Sequence, residues 1–134
     1  MNAAPPSEIL QLMSSLYSPA VLDHFQNPRN AGELPGATTV VEVSNPVCGD
    51  VLRLAARLEG GRVADVRFKT RGCVAAIACS SWLTEWIRDK SVAELSSLAP
   101  GQIAEGLGGL APASFHAAEL ACDALRALLK MRSS

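Results

Sequence analysis

The sequence predicts an α+β domain: a three-stranded antiparallel sheet with helices packed on one face. Three observations carry this. Thr38 to Val43 is rich in β-branched residues. Val51 to Leu58 and Val63 to Lys69 flank Gly60-Gly61, which is a hairpin signal. From Val74 onward the apolar spacing changes to a helical period and keeps it. Helix, then sheet, then helices is the order of an α+β fold.

Taken in order, Ala3-Ala4-Pro5-Pro6-Ser7 reads as a loose tail, and Ile9, Leu10, Leu12, Met13 and Leu16 recur as on a docking helix. Ser18-Pro19 pairs a cap with proline at the first helical position, opening a short helix through Val21, Leu22 and Phe25. Asn27-Pro28-Arg29-Asn30 ends it. After the three strands, Ile77, Trp82, Leu83, Trp86 and Ile87 define a helix ending near Asp89. Ser91 caps a short turn, Pro100 starts another helix through Ile103 and Leu107, and Ser114 to Met131 forms the terminal helix. No repeat or linker divides the chain, so 1–16 is a tail with a short helix and 17–134 a single domain.

Composition narrows the function. The 134 residues are 49% hydrophobic and 19% charged, enough apolar content for a core. A net charge of −1 does not suit a broad phosphate-neutralising surface, and 4% aromatics give few stacking platforms, so no nucleic-acid partner is expected. Charges interrupt every apolar stretch well before the ~18 residues of a membrane span. Met1 to Ser15 has neither a basic segment followed by an apolar run nor any arginine. The expected compartment is therefore the reducing cytoplasm, with cysteines acting as thiols or metal ligands.

Four residues stand out. In an extended Cys48-Gly49-Asp50 the thiol and carboxylate face the same way. Cys73 starts a helix beside Arg71, where the helix dipole predicts partial thiolate character. His116 lies in the first turn of the last helix. Two sulfurs, an imidazole and a carboxylate suit tetrahedral zinc or a small iron–sulfur cluster. Spacing alone also allows two inert buried cysteines and a capping histidine. Cys79 and Cys122 each lie six residues beyond a candidate ligand, a helical rise of about 9 Å, and read as packing residues. The Trp82/Trp86 pair reads as core or interface.

Longer segments narrow the choice. Tyr17 to Gly32 (YSPAVLDHFQNPRNAG), Asn45 to Asp50 (NPVCGD), Phe68 to Cys73 (FKTRGC) with the helix that follows, and Phe115-His116 together resemble the U-type iron–sulfur cluster assembly scaffolds, the NifU/IscU family. The resemblance implies a scaffold and carrier, not an enzyme, that binds iron or a nascent [2Fe–2S] cluster and hands it to apo-proteins. Sulfur would come from a cysteine desulfurase. Matched position by position, Cys48, Asp50, Cys73 and His116 fall on ligand positions, and His24 falls outside the ligand set as a structural residue. A carboxylate among soft ligands would make the site labile, as a cluster donor requires.

Alternative readings are a zinc-dependent sulfur acceptor, resembling the SufU branch, and a non-catalytic regulator of the desulfurase. Two departures bear on the choice. Ala117 stands where the family has a third cysteine, so Ala117→Cys is expected to speed cluster assembly. Leu110-Ala111-Pro112-Ala113-Ser114 replaces the family's Leu-Pro-Pro-Val-Lys, which argues against release by an Hsp70-type chaperone.

Overall fold

A computed structural model describes residues 6–131. Most of the tail Ala3 to Ser7 and the last three residues of the 17–134 domain lie outside the described residues, and Ser7 already opens the first helix.

The sheet forms where the β-branched and alternating segments predict it. β1 (Thr39–Ser44), β2 (Val51–Glu59) and β3 (Arg62–Arg71) lie in the order β1-β2-β3, each pair antiparallel. Gly60 and Gly61 close the β2–β3 hairpin at φ 59° and 77°, a turn with two left-handed residues that suits paired glycines. β2 pairs Arg57 with Asp65 but Leu58 with Val63, so Ala64 is an extra residue on β3. This bulge turns both Val63 and Val66, three positions apart, into the core.

The inward face of the sheet carries Val41, Leu52, Leu54, Ala56, Val66 and Phe68, all buried. The outward face carries charge, including Glu42, Arg53 and Lys69 in one cross-strand row. One face is thus covered by helices and the other is open, as the sequence predicts.

Among the described residues six α-helices accompany the sheet. They are α1 (Ser7–Leu16), α2 (Pro19–Gln26), α3 (Val74–Ile87), α4 (Val92–Leu95), α5 (Pro100–Gly106) and α6 (Phe115–Met131), with a 3-10 turn at Pro112–Ser114. Ser18 caps α2 by accepting the Val21 N–H at 3.0 Å, and Pro19 opens the helix. Ser91 and Glu94 form a capping box on α4. Helices α3 and α6 carry most of the core, with α6 against β1 and β2 and α3 against β3.

α1 forms as its periodicity predicts, yet it buries no residue; Ile9, Leu12 and Leu16 stay exposed. The apolar spacing encodes the helix but not a docking site on this chain.

Cys79 and Cys122 are fully buried in the core, as expected for packing residues. Loss of solvation pushes their thiols up to about 12 and about 11, so both are inert thiols. Cys79→Ser is expected to destabilise the protein by about 1–3 kcal/mol, read by chemical denaturation, through an underpaired buried hydroxyl. Metal stoichiometry should be unchanged; loss of bound metal would contradict the packing role.

Trp82 and Trp86 stack at 6.3 Å between ring centroids, half-buried, with Lys90 over the Trp86 ring. His24 is a buried joint. Its Nδ1 meets the Ser81 hydroxyl at 2.8 Å, and that same oxygen accepts the Arg29 N–H at 2.9 Å. Burial, followed by the nearby Arg29 charge, lowers the His24 pKa. His24 thus ties α2 to α3, the structural role predicted for it.

Candidate metal centre

Each site residue comes from the start or end of an element. The β1–β2 connection is held by its own backbone: Asp50 C=O accepts the Asn45 N–H at 2.9 Å, and Asn45 C=O accepts the Gly49 N–H at 2.7 Å. The Asn45 side chain also accepts the Val47 N–H at 2.9 Å. Gly49 sits at φ +75° with open space around it, so here the backbone itself requires glycine. The Cys48-Gly49-Asp50 segment is therefore a turn leading into β2, in the loop position the sequence predicts, though not extended as the same-side reading of thiol and carboxylate assumes. The turn exposes Cys48 while Asp50 is 4% exposed.

Cys73 is the N-cap of α3, its sulfur accepting the Ala76 N–H at 3.4 Å. His116 stands in the first turn of α6 and donates its Nδ1–H to the Ala113 carbonyl at 2.9 Å. A carbonyl can only accept, so this bond puts a proton on Nδ1; in the neutral imidazole the Nε2 lone pair is then free.

The four residues converge on Asp50. Ligand atoms of Cys48, Asp50 and His116 all lie within 4.8 Å of one another. Cys73 stands outside that set but reaches Asp50 directly, with Sγ 3.6 Å from Oδ2. His116 Nε2 is 3.5 Å from the same oxygen, yet it is buried with no hydrogen-bond partner. An orphaned imidazole lone pair, held by a backbone carbonyl on its other nitrogen, is the arrangement of a metal-ligating histidine.

The sequence places all four groups together, and in the structure Cys48, Cys73 and His116 all lie close to Asp50. A cleft of about 470 Å³ opens beside the site, lined by Asn45, Pro46, Glu119 and Asp123 among others, but His116 is its only member of the four. Asp50 instead forms a buried floor between two surface thiols.

The thiolate expectation for Cys73 is also corrected. Loss of solvation raises its pKa, and the adjacent Asp50 charge adds to this, outweighing the Ala76 and Ala75 N–H groups. The sequence groups Asp50 with Cys73, but the thiolate expectation weighs the helix terminus and not burial or the carboxylate.

Residues 16–133 match the family described as NifU-like N terminal domain. The chain belongs to this family. It is 45% identical over 111 residues to the iron-sulfur cluster assembly scaffold protein IscU 1 of Archaeoglobus fulgidus, covering 83% of this chain and 72% of that protein. It is 43% identical over 117 residues to the scaffold protein IscU of Haemophilus influenzae, covering 84% of this chain and 92% of that one. In fold it resembles the crystal structure of the N-terminal part of a nitrogen-fixing NifU-like protein from Brucella abortus, with TM-score 0.72 and 19% identity. That match covers 89% of this chain and 95% of the other.

Within this family frame, Ala117 takes on a structural meaning. It is 1% exposed and belongs to the core, one helical step around α6 from His116. A thiol introduced there would start from a buried position next to His116 in sequence. Two contributors escaped sequence reasoning: the Ala113 carbonyl, which orients His116, and Gly72, which lies against Asp50.

Proposed function

We propose that this protein is a scaffold on which a nascent [2Fe–2S] cluster, or its iron, is held by Cys48, Asp50, Cys73 and His116 and then passed to apo-proteins. The observation that carries this reading is the buried, unpartnered Nε2 of His116 beside Asp50 and Cys48. The names of the curated relatives supply the cargo. Two sulfurs and an imidazole suit iron and sulfide, and the carboxylate oxygen is the weak member of the set. A weak ligand favours release, which separates a carrier from a protein that keeps its cluster. The donor set also fits zinc, which the family relatives do not name.

Sulfur would arrive from a cysteine desulfurase, the enzyme class that carries sulfur as a cysteine persulfide. Cys48 is the fitting acceptor. It is exposed at the tip of its turn beside the fully open Val47, whereas Cys73 is engaged by both the α3 backbone and Asp50. The Cys48 thiolate attacks the outer sulfur of the donor persulfide. A sulfur–sulfur bond forms at Cys48, the donor's bond breaks, and the electron pair leaves on the donor cysteine, with no net redox change. The protein contributes positioning and ligands. A cytoplasmic location completes this reading, since these thiols must stay reduced; no helix among the described residues is long and apolar enough to cross a membrane.

The test is anaerobic reconstitution with ferrous iron, cysteine and a desulfurase. A visible chromophore carrying iron and acid-labile sulfide should grow on the protein and move to an apo-ferredoxin. Iron bound without sulfide after complete turnover of the cysteine would contradict the scaffold role.

A further inference from the structure

Among the glycines at the site, Gly49 and Gly72 are there for opposite reasons. Gly49 has a left-handed backbone and open space around it. Gly72 is exposed and has no left-handed φ, so its backbone would accept any residue. A side chain is excluded there by something else. A Cβ built on Gly72 would lie 2.5 Å from Asp50 Oδ1, 2.7 Å from its Cγ and 3.1 Å from its Cβ. Nothing else in the protein approaches that closely.

The two carboxylate oxygens are thereby divided. Oδ1 rests against Gly72, while Oδ2 faces Cys73 Sγ at 3.6 Å and His116 Nε2 at 3.5 Å. Among the described residues Asp50 accepts a side-chain hydrogen bond from the Cys73 thiol alone, and that bond is on Oδ2.

We infer that Gly72 is a positioning residue for the metal centre: its missing side chain seats Asp50 Oδ1 and so aims Oδ2 at the point shared by Cys73 and His116. A methyl group at position 72 would push the whole Asp50 side chain aside, since its three closest contacts are Asp50 Oδ1, Cγ and Cβ and carboxylate rotation moves only the first. The inference rests on the proposed reading that these residues hold a metal.

A double-mutant cycle with cobalt(II) tests it, using the full chain under anaerobic conditions. Gly72→Ala should weaken cobalt binding about 10–100-fold, the range seen when a group that orients a ligand is lost. In an Asp50→Ala background the two closest contacts are gone, and the same substitution should change affinity less than about threefold. Equal losses in both backgrounds, or no loss with Asp50 present, would overturn the inference.

Should Gly72→Ala fail to fold, recovery of folding in the double variant upholds it and failure of both overturns it. If the unsubstituted chain binds no cobalt, the metal reading itself falls. The carboxyl carbon resonance of Asp50 in chelator-treated protein then decides the role of Gly72. Movement on Gly72→Ala upholds the seat, and an unmoved resonance overturns it.

Discussion

Cys48→Ala is expected to abolish sulfur acceptance, lowering the rate by at least about 100-fold, because a thiolate is the only nucleophile suited to this transfer. With cysteine and a desulfurase, the unsubstituted protein should gain the mass of one or more sulfur atoms in minutes, and the variant should gain none. Cys79 and Cys122 cannot substitute, since both are fully buried and burial holds their thiols protonated up to about 12 and about 11. Cys73 is a poor substitute. Its sulfur caps α3 through Ala76, and burial followed by the Asp50 charge raises its pKa. Peptide mapping that places the added sulfur on Cys73 in the unsubstituted protein would reverse this assignment. The Ala117→Cys variant provides an internal comparison: its thiol lies on the core side of α6 and should react with alkylating reagents far more slowly than Cys48.

The second large effect concerns stability. Cys48, Asp50 and His116 come from two separate elements, the β1–β2 turn and the start of α6, and Cys73 adds a third. A metal ion joining them binds the folded state alone, so it stabilises by mass action. At 100–1,000 times the dissociation constant this amounts to about 3–4 kcal/mol, on the order of 10 °C in melting temperature for a chain of this size. Adding ferrous iron or zinc to chelator-treated protein should produce that shift. His116→Ala should remove most of it while changing the metal-free melting temperature by only a few degrees, because the variant loses a single exposed hydrogen bond, Nδ1–H to the Ala113 carbonyl, and Nε2 has no partner. An equal shift in His116→Ala would show that the imidazole is not a ligand.

The sheet was legible because its signals are local. Two glycines at positive φ fix the β2–β3 hairpin, and β-branched residues mark β1; each strand end lies within two residues of its sequence-based position. The odd spacing of Val63 and Val66 reflects a bulge on β3 whose place depends on the partner strand. Caps at Ser18 and Ser91 were legible for the same local reason.

The site was legible as a set of residues, since side-chain chemistry limits what can bind metal, but its arrangement was not. The depth of Asp50, the reversal of the Cys73 shift and the core-side position of Ala117 arise from packing between segments far apart in sequence. α1 shows the same limit: periodicity gives a helix, and only tertiary structure tells what covers it.

The most direct measurement is iron, zinc and acid-labile sulfide analysis of the protein purified without oxygen, alongside an aerobic preparation. Iron and sulfide are expected in equal amounts under anaerobic conditions, at up to two of each per cluster, and should be lost in air. Zinc alone in both preparations, with no sulfide, would contradict the scaffold role and make the protein a zinc-organised sulfur acceptor instead.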